Sequence, residues 1–295
     1  MIAQYILDGV ALGAVYALLA LSYSLIFGVI RIVNFAQGEL ITFGCMGALA
    51  GWSVTAGLAT PVRIVLMLLG AVTASCAAGI AMERLLFRPL SRRSSPALLG
   101  LIASLGASIF LQNTLRLCVS SSDIAFPRLI SVTPLTVFGL QIAPVQLVLL
   151  SMTAVLALTT TFFVERTRVG LTIIAVRDNR DLAEANGIAV PVVLRSVFIA
   201  ASGLAAAAGV MMGLYYGVAR YDMGFLPGIK GFTACIMGGL GNVRGAAVAG
   251  ILLGLVESLG AAYVSSAYKD GYAFLLLILV LLVRPHGLFG DGDSV

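Results

Sequence analysis

Charged residues are scarce in this chain of 295 residues: Asp, Glu, Lys and Arg make up 11% of it, whereas a soluble domain usually carries about a quarter. Hydrophobic residues account for 60%, and the mean hydropathy is +1.06 over the whole length. The apolar residues form continuous runs of about twenty, the length of a membrane-spanning helix. The alternating runs of about ten that are typical of a lipid-facing barrel are not present. The sequence therefore predicts an all-α, polytopic transmembrane bundle.

Metal ligands and disulfide partners are also few. The single histidine, His286, follows the last apolar run, which excludes a His-rich metal site. The four cysteines stand singly in or beside apolar runs and are interpreted as small hydrophobic residues: Cys45, Cys76, Cys118 and Cys235. The spacing of these residues predicts neither a metal site nor a disulfide framework.

Sequence motifs for enzymatic chemistry are missing. The chain has two lysines, Lys230 and Lys269, and neither follows the Gly-x4-Gly pattern of a phosphate-binding loop. No HExxH and no Gly-x-Ser-x-Gly pattern occurs. The basic excess, +5 in net charge, is not gathered into one soluble region. We therefore expect neither an enzyme nor a nucleic-acid-binding protein, and no cofactor or metal in this chain.

The number of spans follows from the apolar runs. The runs at 229–240 and 271–283 are short, because about 13 residues of helix rise roughly 20 Å while the hydrocarbon core is ~30 Å thick. We predict a single transmembrane domain, 1–295, with about eight spans and with interrupted or re-entrant helices, and leave 229–240 undecided. The runs are 5–28, 39–58, 62–83, 97–118, 144–164, 191–216, 229–240, 245–264 and 271–283.

Arginine predicts the orientation. Two arginine-rich connections are separated by two spans, so they share a side, and the positive-inside rule assigns that side to the cytoplasm and the N-terminus to the outside. Ten basic residues fall inside: Arg84, Arg88, Arg92, Arg93, Arg166, Arg168, Arg177, Arg180, Arg195 and Arg284. Six fall outside: Arg63, Arg116, Arg128, Arg220, Lys230 and Lys269. Arg31 and Arg244 belong to interrupted segments and are left out.

A polar segment, "RIVNFAQGE" (residues 31–39), interrupts the apolar N-terminal region. Asn34 is a good helix N-cap, and Gln37 supplies the second side chain of a capping box. We predict a break at 31–34 and a new helix over 35–57. The N-terminus of a helix inside the membrane suits an anionic substrate group. The candidate substrate path is Asn34, Gln37, Gly38 and Glu39; an ordinary loop between two spans is the alternative.

A glycine segment, residues 238–242 of "MGGLGNVRG", predicts a second helix break at Gly238, Gly239, Gly241 and Asn242. Similarity between "FGCMGAL" (43–49) and "ACIMGGL" (234–240) makes an internal repeat an alternative interpretation. Elsewhere glycines repeat every four residues, a pattern that lets helix backbones approach in lipid, at Gly9/Gly13, Gly209/Gly213/Gly217 and Gly250/Gly254.

Three blocks of sequence resemble the permeases of bacterial branched-chain amino acid ABC transporters. They are "GVIRIVNFAQGELITFGCMGA", "GLTIIAVRDNRDLAEANGIAV" and "GFTACIMGGLGNVRGAAVAGILLGLVE", in the family's order and spacing. The resemblance implies a multi-pass subunit of the bacterial inner membrane that transports an amino acid. Related permeases carry urea or short amides, so the substrate stays open. An ion-coupled secondary transporter using Asp8 and Glu257 is a further alternative.

The resemblance also implies partners: a second permease, two ATP-binding subunits that hold ATP and Mg, a periplasmic substrate-binding protein, and membrane lipid. A docking segment for the ATP-binding subunits is expected at about 165–190. There Gly170 would end one helix, and a helix over 171–186 would anchor through Ile173, Ile174 and Val176 and end at Gly187 before Pro191. The candidate contacts are Arg177, Asp178, Asn179, Glu184, Ala185 and Gly187. A solvated amphipathic linker is the alternative.

Overall fold

The computed structural model describes residues 2–92, 97–119, 121–130, 133–137, 140–284 and 286–289. α-Helices dominate, and the bundle is that of a polytopic helical membrane protein, as the sequence predicts. The helices are α1 (Ile2–Ile30), α2 (Glu39–Val54), α3 (Thr60–Met82), α4 (Arg88–Arg92), α5 (Ala97–Cys118), α6 (Pro144–Arg166), α7 (Arg168–Asp178), α8 (Arg180–Ala185), α9 (Val190–Tyr216), α10 (Phe225–Gly238), α11 (Val243–Tyr263) and α12 (Lys269–Val283).

Seven helical segments of the described residues are long and apolar enough to cross a membrane, one fewer than the predicted eight. The difference is the run at 39–58, which forms the 16-residue α2. Such a helix rises about 24 Å, less than the hydrocarbon core. The undecided run at 229–240 lies in α10, which has 14 residues and is also short. The short run at 271–283 belongs to a longer span, Ser266–Val283.

Helix α1 forms the centre of the bundle. Its most apolar window is 89% buried, and α6, α9, α10 and α11 pack around it. Gly9 and Gly13 of α1 face Gly250 and Gly254 of α11, where a Cβ on Gly254 would lie 2.3 Å from the Gly13 Cα. The predicted close contact of backbones through these glycine pairs is confirmed. By contrast, the corresponding windows of α5 and α6 are 22% buried and leave most of their surface exposed.

Two pairs of short strands lie in the connections at one end of the bundle. β1 (Ile124–Ala125) pairs antiparallel with β4 (Val218–Ala219), in the register Ile124 to Ala219. β2 (Leu135–Val137) pairs antiparallel with β3 (Leu140–Ile142), in the register Leu135 to Ile142. The N-terminal turn of α1 lies at this end, because Gln4 donates a hydrogen bond to the Gln141 carbonyl (3.0 Å).

The arginine-rich end lies opposite. Arg31 donates to the backbone carbonyl of Arg177 (3.2 Å), and Arg244 forms an ion pair with Glu165 at 2.5 Å. The two arginines that the sequence left unassigned therefore join the docking-segment end, which strengthens the charge bias used for orientation. Before this end, α3 continues into α4 through a π-helical turn, Glu83–Phe87, whose buried Glu83 carboxylate lies 3.9 Å from Arg195 of α9.

We expect Gly254→Val to destabilise the protein by roughly 1–3 kcal/mol, because the new side chain would overlap the α1 backbone. Gly106→Val is the matched control, since an added Cβ there meets open space on α5. Thermal unfolding of the purified protein in detergent measures both. Equal losses for the two variants would contradict the role assigned to the α1–α11 contact.

Candidate functional site

The polar segment forms a break between α1 and α2 that is stabilised by its own side chains. Asn34 is the N-cap of a single 3₁₀ turn, Phe35–Gln37, and its Oδ1 accepts a hydrogen bond from the N–H of Ala36 (3.1 Å). The regular helix begins at Glu39, so the predicted helix over 35–57 is wrong at both ends. Exposure of Asn34 is 1%, which does not agree with an ordinary surface loop.

The predicted capping box does not form: Gln37 Oε1 accepts from Asn34 Nδ2 (3.4 Å), not from the Asn34 backbone N–H, and Gln37 Nε2 is directed to other helices. Its Nε2 donates to Ser22 Oγ of α1 and to the Ala201 carbonyl of α9 (3.4 Å). Ser22 Oγ donates to the same carbonyl (3.0 Å). Gln37 therefore joins the break to the two most buried helices of the bundle, α1 and α9.

Glu39 is completely buried at the start of α2. Its Oε1 accepts a hydrogen bond from Ser108 of α5 (2.9 Å), and its Oε2 has no hydrogen-bond partner among the described residues. Ser104, one turn away on α5, accepts from the Phe35 N–H (3.2 Å), and its hydroxyl lies 2.8 Å from the Leu101 carbonyl oxygen and 3.3 Å from the Val33 carbonyl oxygen. A lipid-facing helix thus supplies two hydroxyl groups to the polar segment.

Gly38 brings the polar segment into contact with α10. A Cβ on Gly38 would lie 2.7 Å from the Gly224 carbonyl oxygen, and one on Gly228 would lie 2.7 Å from the Gly38 Cα. Thr42 Oγ1 also accepts from the Gly224 N–H (3.0 Å). The two short helices, α2 and α10, therefore meet at their N-terminal ends inside the bundle. In this conformation the hydrogen bonds of Asn34, Gln37 and Glu39 stabilise the contact between α2 and α10. Contact of these residues with a substrate stays a prediction.

The glycine segment separates α10 from α11. Helix α10 ends at Gly238, and Gly239 and Gly241 have φ angles of +99° and +84°, which favour glycine. Asn242 is the N-cap of α11: its Oδ1 accepts from the Gly245 N–H (3.0 Å). The structure thus has a helix break at the position where the sequence predicts one.

The docking segment differs from its predicted form. Helix α6 ends at Arg166 and Thr167 caps α7, so Gly170 lies inside α7 and does not end the preceding helix. Asn179 interrupts the predicted helix over 171–186: it ends α7, and its Oδ1 accepts from the Leu182 N–H (2.9 Å) at the start of α8. Ile173 and Val176 are buried, as expected for an anchoring face.

Most of the candidate contacts in the docking segment are exposed. Five candidate contacts are exposed: Asp178, Asn179, Glu184, Ala185 and Gly187. Gly187 has a φ of +81° just after α8, and Pro191 lies in the first turn of α9, as predicted. These residues form a surface that is available to another subunit.

Arg177, the sixth candidate contact, is partly exposed, and its side chain also makes contacts within the protein. Its Nη1 donates to the Gly241 carbonyl (3.2 Å), and its own carbonyl accepts from Arg31 (3.2 Å). Its side chain passes close to Gly28 at the end of α1. Arg177 therefore connects the docking segment to the polar segment and the glycine segment together.

A cluster of charges around the buried Lys230 and Glu257 was not predicted. Lys230 Nζ of α10 lies 2.8 Å from Glu257 Oε1 of α11 and 2.7 Å from Asp270 Oδ1 of α12. The Tyr16 hydroxyl of α1 donates to Glu257 Oε1 (3.2 Å). Lys269 Nζ lies 3.6 Å from the same oxygen. The sequence-based prediction puts Lys230 in the outer set of basic residues and Glu257 in the alternative of an ion-coupled transporter. The sequence did contain a signal for this pair, namely one lysine and one glutamate in consecutive apolar runs. Two such charges must be neutralised when they are buried.

Comparison with known proteins identifies the family. The family model described as "Branched-chain amino acid transport system / permease component" matches residues 5–282. The chain belongs to this permease family. It is 37% identical over 304 residues to the high-affinity branched-chain amino acid transport system permease protein LivH of Escherichia coli K12, with 97% of this chain and 95% of that protein covered.

Two further relatives extend the comparison. Identity is 36% over 295 residues to the high-affinity branched-chain amino acid transport system permease protein BraD of Pseudomonas aeruginosa, covering 97% of this chain and 95% of the relative. Identity is 26% over 291 residues to the probable branched-chain amino acid transport permease protein LivH of Methanocaldococcus jannaschii, covering 92% and 88%. This permease is thus a multi-pass membrane protein and one component of a transport system with partner subunits.

We expect Asn34→Leu to lower transport by this permease strongly, because the substitution removes the N-cap, leaves the Ala36 N–H without its partner, and costs about 1 kcal/mol or more at the break. Asn113→Leu is the control: Asn113 is exposed near the other end of α5 and bonds within its own helix. Uptake into membrane vesicles at equal expression measures both. Equal tolerance of the two changes would contradict a functional role of the break.

We expect Lys230→Met to lower stability by about 3–5 kcal/mol, because it leaves the buried Glu257 carboxylate without its main partner. The double variant Lys230→Met, Glu257→Leu should recover part of the loss, since neither buried charge remains. Lys269→Met, which changes a half-exposed side chain, should have a smaller effect. Thermal unfolding in detergent compares the three; a double variant less stable than Lys230→Met would overturn this account.

Proposed function

We propose that this chain is the transmembrane permease subunit of a bacterial ABC importer for branched-chain or related amino acids, placed in the inner membrane. Its assembly would comprise a second permease, two ATP-binding subunits that carry ATP and Mg, and a periplasmic substrate-binding protein. The names of the relatives, which specify branched-chain amino acid transport, support the substrate class. The observation that carries the proposal is Arg177, which connects an exposed docking segment to both helix breaks.

The proposed mechanism is alternating access. The binding protein delivers the amino acid at the strand-bearing end of the bundle, and the ATP-binding subunits dock on Asp178, Asn179, Glu184, Ala185 and Gly187 at the arginine-rich end. ATP binding and hydrolysis displace α7 and α8. Arg177 transmits this displacement to the Gly241 carbonyl and to Arg31, so the glycine segment and the polar segment move together.

The two short helices are the elements that such a displacement moves most directly. Helix α10 begins against Gly38 and ends at the glycine segment, so a shift at Gly241 reaches the start of α2 through one rigid helix of 14 residues. Asn34, Gln37, Gly38 and Glu39 would then open toward, or brace, the path of the substrate. In this family the path is expected between two permeases, so each chain contributes half of it.

Purification with a tagged chain tests the assembly. We expect two ATP-binding subunits and a second permease to remain bound, and reconstituted vesicles to take up branched-chain amino acids only with ATP and the binding protein. Uptake by the chain alone that collapses with an uncoupler would favour an ion-coupled secondary transporter and overturn the proposal. Uptake of urea or short amides in preference to amino acids would change the substrate class alone.

Changes in α8 test the docking surface. We expect Glu184→Arg and Gly187→Val to lower the amount of ATP-binding subunit that is recovered, the first by reversing an exposed charge and the second because φ at Gly187 is +81°. Membrane insertion should be unchanged. Asp123→Arg makes the same charge reversal in an exposed position at the opposite end of the bundle and should not affect recovery. Normal recovery and normal ATP hydrolysis with both α8 variants would show that the subunits dock elsewhere.

A further inference from the structure

A cavity of about 700 Å³ lies at the arginine-rich end of the bundle. Its walls are the last turns of α1 and α6, the end of α7, and the glycine segment with the first residues of α11. The lining includes Phe27, Arg31, Glu165, Arg177 and Arg244. The cavity is too large to be a packing defect.

The charges around this cavity do not cancel. Arg244 is paired with Glu165 at 2.5 Å, and Arg177 lies 3.4 Å from Asp178. Arg31 hydrogen-bonds to the neutral carbonyl of Arg177 and forms no ion pair with any residue that the structure describes. One guanidinium therefore faces the cavity without a carboxylate, and an uncompensated cation at this position favours an anionic ligand.

The backbone of Arg31 is held in an unfavourable conformation. Its φ is +54°, and among the described residues it is the one non-glycine residue with a positive φ. Such strain costs of order 1 kcal/mol or more and tends to occur where a side chain has a function. Here the strained turn, directly after α1, places the guanidinium beside Arg177 at the rim of the cavity.

Beyond the cavity, helical spacing places exposed apolar side chains on the faces of α6 and α11 that carry Glu165 and Arg244. Both helices pack on α1. Leu158 lies on the same face of α6 as Glu165, two turns away, and 71% of its surface is exposed. Val248 and Leu252 lie one and two turns beyond Arg244 on the same face of α11 and are 44% and 38% exposed. The cationic side chains at this end of the bundle are thus followed, further along α6 and α11, by exposed apolar side chains.

We propose that this cavity binds the phosphodiester headgroup of an anionic phospholipid, with the acyl chains lying along Leu158, Val248 and Leu252. Arg31 supplies the charge that the phosphate neutralises, and Arg177 and Arg244 supply further N–H donors. Basic cavities between membrane helices on the cytoplasmic side are suited to such headgroups. Because Arg31 and Arg177 also connect the docking segment to the helix breaks, a bound lipid would stabilise one arrangement of these elements.

Titration of the detergent-purified protein, with whatever subunits remain bound to it, tests the proposal by native mass spectrometry. Phosphatidylglycerol and phosphatidylcholine are compared. We expect wild type to prefer phosphatidylglycerol, and Arg31→Asn to bind it roughly fivefold more weakly, the effect of one basic side chain near the surface. Asparagine tolerates a positive φ, so thermal unfolding without lipid should show no loss of stability in this variant.

Two further variants complete the test. Arg31→Lys keeps the charge and should keep most of the preference for phosphatidylglycerol. Arg168→Gln removes an arginine at the same end of the bundle that does not line the cavity, and should leave binding unchanged. Equal losses in Arg168→Gln and Arg31→Asn would show general attraction to the surface and overturn the site.

Other occupants give other results. Equal binding of phosphatidylcholine would exclude recognition of headgroup charge. Displacement of phosphatidylglycerol by an equal concentration of inorganic phosphate would show that a free anion, not a lipid, is the ligand. A wild-type assembly that binds no added phosphatidylglycerol, while the separated chain binds it, would show that another subunit covers this face. Each of these three outcomes overturns the proposal.

Discussion

Backbone N–H and C=O groups at the end of a helix need hydrogen-bond partners, and the helices of this permease are interrupted at the polar segment and at the glycine segment. The rest of the structure depends on how these ends are satisfied. At the polar segment Asn34 caps the 3₁₀ turn and Ser104 accepts a hydrogen bond from the Phe35 N–H. At the glycine segment Asn242 caps α11. Each break is therefore possible only because polar side chains from the segment itself or from a neighbouring helix complete it.

Charge neutralisation is the second constraint, and it explains which helices surround α10. Lys230 lies within the short helix α10 and is buried. A buried lysine needs a carboxylate partner, and here it has two. Glu257 and Asp270 supply them from α11 and α12, and Tyr16 completes the contacts of Glu257 from α1. The same cluster fixes α10 while its two ends remain in contact with Gly38 and the glycine segment.

The sequence predicts the class of fold and the positions of both breaks, because apolar run length and the residues Asn34, Gly239 and Asn242 are local signals. It does not predict the direction of the Gln37 or Arg177 side chain, because a single sequence does not show which helices become neighbours. Gln37 fits a capping box locally, yet Ser22 and the Ala201 carbonyl are better partners once α1 and α9 are packed.

The split of the docking helix at Asn179 has the same origin: Asn179 is compatible with helix by propensity but caps α8 in the folded chain. Ser104 and Ser108 were missed because two serines in an apolar run resemble ordinary small residues.

The enclosure of α1 bears on how the chain is made. Helix α1 leaves the ribosome before α6, α9, α10 and α11, and in the folded protein these four helices surround it. In the interval its glycine face, Gly9 and Gly13, has only lipid beside it. Insertion and final assembly must therefore be separate events for this protein, and the last third of the chain completes the surroundings of the first thirty residues.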